Sequence, residues 1–308
     1  MFKRQNDVTE LNGNNILQVG KKVSSTKDIE EFYTKNPFPN YDEVESMLEL
    51  SEKVNKNLFI KNFKNFFDFG HKIIEVGSGT SQLSMVLAHG TNNEVVAFDP
   101  TLASLNLGSV FAEDNNILNC KFVNGDIYDD PFLDDYFDLV WCSGVLHHTK
   151  TPEAGFNIIS SWAKPEGYIV VGLYNKYGRL RTGFRQLLFK LLRGGELAVK
   201  IVSIFDPVLR LNKKGSNKSK AWIQDQYEHP IETWHTLDEV ISWFNNNNIE
   251  FVSSIPGTSF KPIDFKKMFE NQGQGSVFSR VVQQLLMLFS SSGREGGLFL
   301  VIGRKLKG

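Results

Sequence analysis

Cysteine is nearly absent: the chain has two in 308 residues, Cys120 and Cys142, at no metal-ligand spacing. That excludes a disulfide framework and a zinc ribbon, and both thiols are expected reduced and buried in strands. An excess of charge of one sign is missing too. A net charge of −1 gives no basic field for nucleic acid, which is not expected as a partner. No apolar run approaches the roughly 20 residues that cross a bilayer. Met1-Phe2-Lys3-Arg4-Gln5-Asn6-Asp7 turns polar where the apolar core of a signal peptide would begin, so a cytoplasmic setting is expected. Internal repeats and heptad arrays are also absent. What remains, 41% hydrophobic and 22% charged residues, reads as an ordinary globular chain. It is long enough for one large α/β domain with additions, or for two small domains.

What is present is a pattern from Ile73 to Ala88. Lys72 to Val76 is short, apolar and β-branched, as a buried strand should be. Leu83, Val86 and Leu87 share one face of a helix. Between them Gly77-Ser78-Gly79 lets the backbone turn sharply and approach a ligand. The Gly-x-Gly-x-x-Gly pattern of dinucleotide enzymes fails at Gln82. Glu75, two residues before the first glycine, would repel a pyrophosphate but suits a cationic ligand. A second strand, Glu94 to Phe98, ends in Asp99-Pro100, 20 residues after Gly79. An acid at that distance accepts from both ribose hydroxyls, or it caps the helix from Leu102; the two roles are compatible. Lys121-Phe122-Val123 is a third strand, leading to Asn124-Gly125-Asp126-Ile127. Phe137 to Cys142 is a fourth, which empties into Ser143-Gly144-Val145-Leu146-His147-His148. After a crossover helix over Glu153 to Lys164 and a turn at Pro165-Glu166-Gly167, Tyr168 to Tyr174 is the fifth. Ile249 to Ile255 and Gly297 to Gly303 complete the set.

Glu75-Val76-Gly77-Ser78-Gly79-Thr80 resembles motif I of the class I S-adenosylmethionine-dependent methyltransferases. Phe137 to His148 is similar to motif IV of their small-molecule branch. One position departs: Ser81 stands where many members carry a third glycine. The likeness covers residues from about 70 to 174 by motifs and 236 to 303 by strand order alone. It implies a Rossmann-like α/β fold with seven strands in the order 3-2-1-4-5-7-6, strand 7 antiparallel, and helices on both faces. It also implies S-adenosylmethionine as cofactor, with S-adenosylhomocysteine as product. Cofactor contacts would come from Glu75, Gly77, Ser78, Gly79, Asp99, Pro100, Asp126, Ile127 and Ser143. Asp126 matches the family's adenine-amino contact, with Ile127 flanking the ring; a plain turn aspartate is the alternative. His147 and His148 are the catalytic candidates, and each either moves a proton or lines the site. No metal is expected, because Cys142 stands where metal-using members present a carboxylate. The activity implied is in-line methyl transfer to a small-molecule or lipid-/carrier-linked acceptor. An inactive cofactor-binding partner protein is the alternative, and an NAD-dependent oxidoreductase is disfavoured by Glu75 and Gln82.

Around this core (70–174) the chain divides further. Residues 1–27 read as a flexible arm. Residues 28–69 read as a helical lid whose Leu48, Leu58, Phe63 and Phe67 face inward. Its segment Asn36-Pro37-Phe38-Pro39-Asn40-Tyr41 is similar to an N-terminal lid of some bacterial methyltransferases, in which Tyr33 and Tyr41 would cover the cofactor or acceptor. A proline-rich brace is the other reading. Residues 175–235 form an inserted cap. Its basic amphipathic stretch Arg185 to Arg193 either lies on a membrane or, as preferred here, packs as a lid with snorkelling arginines. Asp225 to Pro230, with Tyr227 and His229, either faces the acceptor or forms a helix-terminal turn. Residues 236–308 return to the core, with Thr236 and Glu239 as a capping box. A second insertion, 256–294, brings phenylalanines assigned to the same cap. Ser276 to Phe289 is alternatively a dimer helix, so monomer and homodimer both stay open, as does contact with a membrane or a lipid-linked substrate.

Overall fold

The computed structural model describes residues 1–4, 7–11, 15–20, 34, 46–211, 219, 222–223, 226–227, 231–289 and 297–307. At its centre β3 (Lys72–Val76) pairs in parallel with β4 (Glu94–Asp99) and with β6 (Phe137–Ser143). Beyond β4 lies β5 (Cys120–Asn124), and beyond β6 lies β7 (Ala163–Tyr174), both parallel. The last strand, β9 (Leu298–Lys305), runs antiparallel between β7 and β8 (Ile249–Ile255).

Alternate residues of these strands enter opposite cores. Ile74, Val76, Phe98 and Cys142 go to one face; Ile73, Val95, Ala97, Leu139 and Trp141 go to the other. Strands buried on both sides must be nearly all apolar, which is why they read as short β-branched runs. The second face is covered by α1 (Met47–Asn55), α2 (Leu58–Phe66), α3 (Gln82–Ala88) and α4 (Leu102–Asp114). On the first face lies α5 (Pro152–Ser161). The inserted cap follows as α6 (Leu180–Leu191), α7 (Gly195–Phe205) and α8 (Pro207–Leu211), closed on a small core of its own with Phe189, Ala198, Val202 and Leu209. Then α9 (Leu237–Asn246) returns to the first face, started by the expected Thr236–Glu239 capping box. No helix among the described residues is long and apolar enough to cross a membrane.

Among the described residues the sheet has nine strands, not seven, in the order β1-β2-β5-β4-β3-β6-β7-β9-β8, so the expected order does not describe it whole. From β5 to β8 the succession matches the one implied by the resemblance. The two added strands, β1 (Val8–Leu11) and β2 (Ile16–Val19), come from the stretch read as a flexible arm. β2 joins β5 in parallel and β1 covers β2. Within its two strands only Ile16 and Val19 are buried, one in each core, too short a pattern to stand out in sequence. Phe2 stacks on Phe132 at 5.5 Å, and the Lys3 ammonium sits 2.6 Å from Asp130, so the chain start is tied down as well.

Three further expectations are corrected. Leu48 and Leu58 are exposed, and Met47, Leu50 and Phe59 point inward in their place beside Phe63 and Phe67. The side chains of Ser46 and Asn57 accept the first helical amides and set where α1 and α2 begin. An error of one residue rotates a helix by about 100°. Pro165-Glu166-Gly167 lies inside β7 as a bulge: Phe137 pairs with Ala163 but Leu139 pairs with Tyr168. Finally, the phenylalanines of the second insertion are not all in a cap over the strand ends. Phe269 stacks on Phe66 at 4.1 Å and meets Tyr168 edge-on, alongside the amino half of β7. α10 (Val277–Leu286) reaches toward the first insertion: the Gln284 side-chain oxygen accepts from the Asn175 side chain and from the Leu237 amide, both at 2.8 Å.

Candidate active site

The chain leaves β3 through Gly77 and Gly79, both at positive φ (68° and 52°). Gly77 is required twice, by that conformation and because a Cβ there would fall inside the Val145 side chain. The Gly77 and Ser78 amides both donate to the Phe98 carbonyl, at 2.8 and 3.1 Å, which pins the turn to the end of β4. Ser81, the N-cap of α3, sits at φ 64°. That left-handed geometry costs an L-residue roughly 1–2 kcal/mol, a cost that a glycine at this place would not carry.

Three acids stand at the carboxyl ends of three adjacent strands. Glu75 is buried, and one oxygen accepts from the Ser84 amide (2.8 Å) and hydroxyl (2.5 Å), tying β3 to α3. Burial pushes its carboxyl up to about 7; Ser84 works against this and the Asp99 charge adds to it. Asp99, also buried, accepts from the Gly79 amide at 2.8 Å and from the Thr101 amide at 2.7 Å. It therefore holds both the glycine turn and the start of α4. Asp126 accepts from the Tyr128 amide at 3.0 Å and caps the single turn that buries Ile127. The Asn124 side chain donates to the Asp99 and Pro100 carbonyls, joining the second and third strand ends.

At the end of β6, Gly144 (φ 82°) opens into one tight turn holding Leu146, His147 and His148. His148 Nδ1 lies 2.8 Å from the Ile231 carbonyl, which can only accept. In the neutral ring this fixes the proton on Nδ1 and makes Nε2 the basic nitrogen. His147 is fully buried with its ring 3.9 Å from that of Tyr174. The Arg179 guanidinium lies over Tyr174, 3.7 Å from the ring centroid. Arg179 is itself buried and donates to Glu232 (Nε to Oε1, 3.1 Å) and to the side-chain oxygen of Gln226, whose amide donates to the Tyr174 hydroxyl at 2.9 Å. Burial alone would raise the Glu232 carboxyl, but the Arg179 hydrogen bond and charge hold it below the usual range. Amides of Thr233 and His235 donate to the carbonyls of His147 and Tyr174, both at 2.8 Å. Residues 231–235 thus strap the histidine turn to the end of β7.

Residues 67–227, just over half of the chain, match a family described as a methyltransferase domain. The chain belongs to that family. Curated relatives of this methyltransferase-domain chain are distant. An uncharacterized Synechococcus protein, syc1184_c, is 24% identical over 59% of this chain and 48% of its own length. The ubiquinone/menaquinone biosynthesis C-methyltransferase UbiE of Vibrio parahaemolyticus is 29% identical over 35% of this chain and 42% of its own length. The chain thus spans under half the length of these relatives. Among solved structures, PKMT2 of Rickettsia typhi in complex with AdoHcy is similar at TM-score 0.56 and 14% identity, over 82% of this chain and 54% of that one. The [4+2]-cyclase SpnF is similar at TM-score 0.51 and 12% identity, over 94% and 99%. At these identities the likeness is one of fold.

The methyltransferase core brings Glu75, Gly77, Ser78, Gly79, Asp99, Pro100, Asp126, Ile127 and Ser143 to one edge of the sheet, the carboxyl ends of β3 to β6. Tyr227 is elsewhere. It is buried in the cap's own core against Phe189, and its hydroxyl donates to Asp206 at 2.6 Å. Burial and that carboxylate keep the phenol protonated, and its place is in the small core closed by α6, α7 and α8. Tyr33, Tyr41 and His229 lie outside the described residues. Burial pushes both cysteine thiols upward and leaves them unreactive. Gln226 falls in the polar stretch Asp225 to Pro230, whereas three site residues were not legible in sequence: Tyr174, Arg179 and Glu232. Arg179 reads there as one more cation of a basic insertion, and its acid lies 53 residues further on.

Proposed function

We propose that this chain moves the methyl group of S-adenosylmethionine onto a small-molecule or lipid-/carrier-linked acceptor. The observation that carries the reading is the glycine turn held by Asp99 between two further buried strand-end acids. These residues fit a cationic nucleoside: positive-φ glycines leave room for close approach, and the acids supply negative potential and acceptors. Asp99 would take the ribose hydroxyls and Asp126 the adenine amino group, with Ile127 against the ring. When bound, the cofactor supplies a methyl group on a cationic sulfur, which is already a strong electrophile. The protein's part is to hold, align and keep water out. Where the acceptor carries a proton, His148 would take it through Nε2, with His147, in the Tyr174–Arg179 stack, as a positioning residue. The relative from ubiquinone/menaquinone biosynthesis supports keeping a lipid-linked acceptor in the class.

Alignment is worth roughly 7–11 kcal/mol, more than the 10²–10⁴-fold typical of one acid–base group. Removing His148 should therefore leave measurable turnover, and damage at Gly77 or Asp99 should be as severe. Calorimetry with S-adenosylhomocysteine and with NAD tests the cofactor; binding of NAD alone overturns the assignment. Radiolabelled methyl transfer into a cell extract tests the reaction. A fold shared with a cyclase does not guarantee transfer, so cofactor binding without incorporation in any fraction leaves a cofactor-binding partner protein as the reading.

A further inference from the structure

The cap carries a surface that methyl transfer leaves unused. On α6, Leu180, Phe184, Leu187 and Leu191 are 49–70% exposed. Their spacing of i, i+4, i+7 and i+11 makes one stripe, about 16 Å long at 1.5 Å per residue. It lies on the side of the helix opposite the buried Thr182 and Phe189. Leu197 and Ile204 repeat the arrangement on α7, turned away from the buried Ala198 and Val202, with Phe205 exposed beside them. Apolar exposure gathered in this way on a rigid element marks a contact surface rather than chance.

Its charge identifies the partner. Arg181, Lys190, Arg193, Lys200 and Arg210 on and beside these helices are all exposed, and Glu196 is the only exposed acid between residues 176 and 211. The other acid in that span, Asp206, is buried against Arg185 and Tyr227. Positive charge is thus concentrated on the cap of a chain whose net charge is −1. At about 100° per residue, Arg181 and Lys190 fall on either flank of the α6 stripe and not within it. Flanking cations on long apolar stems suit a headgroup layer, with the stripe below it. A second copy fits poorly, since a two-fold contact would bring the same cations against one another.

We propose that α6 and α7 seat this protein on an anionic lipid bilayer, the apolar stripe in the acyl boundary and the flanking cations among the phosphates. The seat adjoins the site: Leu180 follows Arg179, whose guanidinium covers Tyr174. An acceptor dissolved in the bilayer would then lie next to the strand ends. Only that last step rests on the proposed methyl transfer; docking does not require it.

Co-sedimentation of the full chain with vesicles of phosphatidylcholine, with and without about 30% phosphatidylglycerol, tests the seat. Binding is expected on the anionic vesicles and should weaken at least about tenfold between 0.1 and 1 M salt, as the screening length falls from ~10 to ~3 Å. Lys190→Ala and Lys200→Ala should each weaken binding about five-fold, and Phe184→Ser with Leu187→Ser at least about tenfold. All these variants should keep the wild-type unfolding midpoint and S-adenosylhomocysteine affinity. No binding, or equal binding to both vesicle types, overturns the docking. A wild-type dimer in solution that Phe184→Ser with Leu187→Ser converts to monomer overturns it too and assigns the face to self-association. Retained S-adenosylhomocysteine affinity in those outcomes leaves the methyltransferase reading standing, and its loss in the wild type is a separate failure.

Discussion

Glu75 is a carboxyl held by its surroundings at the edge of ionisation. Its folded value of about 7 lies above the ordinary 4.5, chiefly through burial. The folded chain therefore binds this proton more tightly than the unfolded one. The stabilising contribution is complete below pH ~4.5 and is lost as pH rises through ~7, a difference of roughly 3 kcal/mol. Urea midpoints of the wild type should fall from pH 5 to pH 8, and Glu75→Gln, which keeps the shape without the titration, should flatten the slope. A cation brought near the carboxylate lowers its value again. Binding of S-adenosylmethionine at pH 7 should then release protons, seen as different calorimetric heats in phosphate and in Tris. The neutral thioether product should release fewer, and equal heats for both ligands in both buffers would remove Glu75 from the cofactor's electrostatics. Gly77→Ala combines a left-handed strain of roughly 1–2 kcal/mol with a collision at Val145. It should weaken S-adenosylhomocysteine binding about tenfold or more.

Elements whose determinants are local were legible in sequence, and those set by distant partners were not. β3, the glycine turn and the histidine turn are each specified within about ten residues by β-branching, missing side chains and period. The phase of α1 and α2 depends on the caps Ser46 and Asn57, and the hairpin β1–β2 on an edge of β5 that lies more than a hundred residues away in sequence. The strap depends on the fully buried Arg179 finding the largely buried Glu232. Breaking such a pair from one side leaves an uncompensated charge and costs about 3–5 kcal/mol, whereas removing both partners costs less. Urea denaturation of Arg179→Met, Glu232→Leu and the double variant should show the double less destabilised than the sum of the singles. Aromatic packing behaves differently because it is shared. Phe63 is fully buried among Phe59, Phe67, Trp141 and Phe269. Phe63→Ala should cost about 3–5 kcal/mol with an unchanged denaturant slope.

For the whole molecule the question is what closes the sheet. A parallel α/β sheet that stopped at β5 would present Cys120 to Asn124 as an open row of backbone donors and acceptors. The N-terminal hairpin moves that edge outward by two strands. The new edge, β1, is only four residues long, and its central Thr9 and Glu10 are exposed. Short, charged edges are poor templates for pairing with another chain. The hairpin also covers Gly125, where an added Cβ would meet Val19 and Phe98, so it backs the loop that carries Asp126. A chain lacking residues 1–20 should keep its helices, since both cores retain α1 to α5 and α9. It should lose the edge protection and the firm seating of Asp126 together. Light scattering after gel filtration should show association that grows with protein concentration in the truncated chain and not in the full one. Calorimetry should show weaker S-adenosylhomocysteine binding in the fraction that stays monomeric. If that fraction kept the affinity of the full chain, the hairpin's part would be confined to protecting the edge.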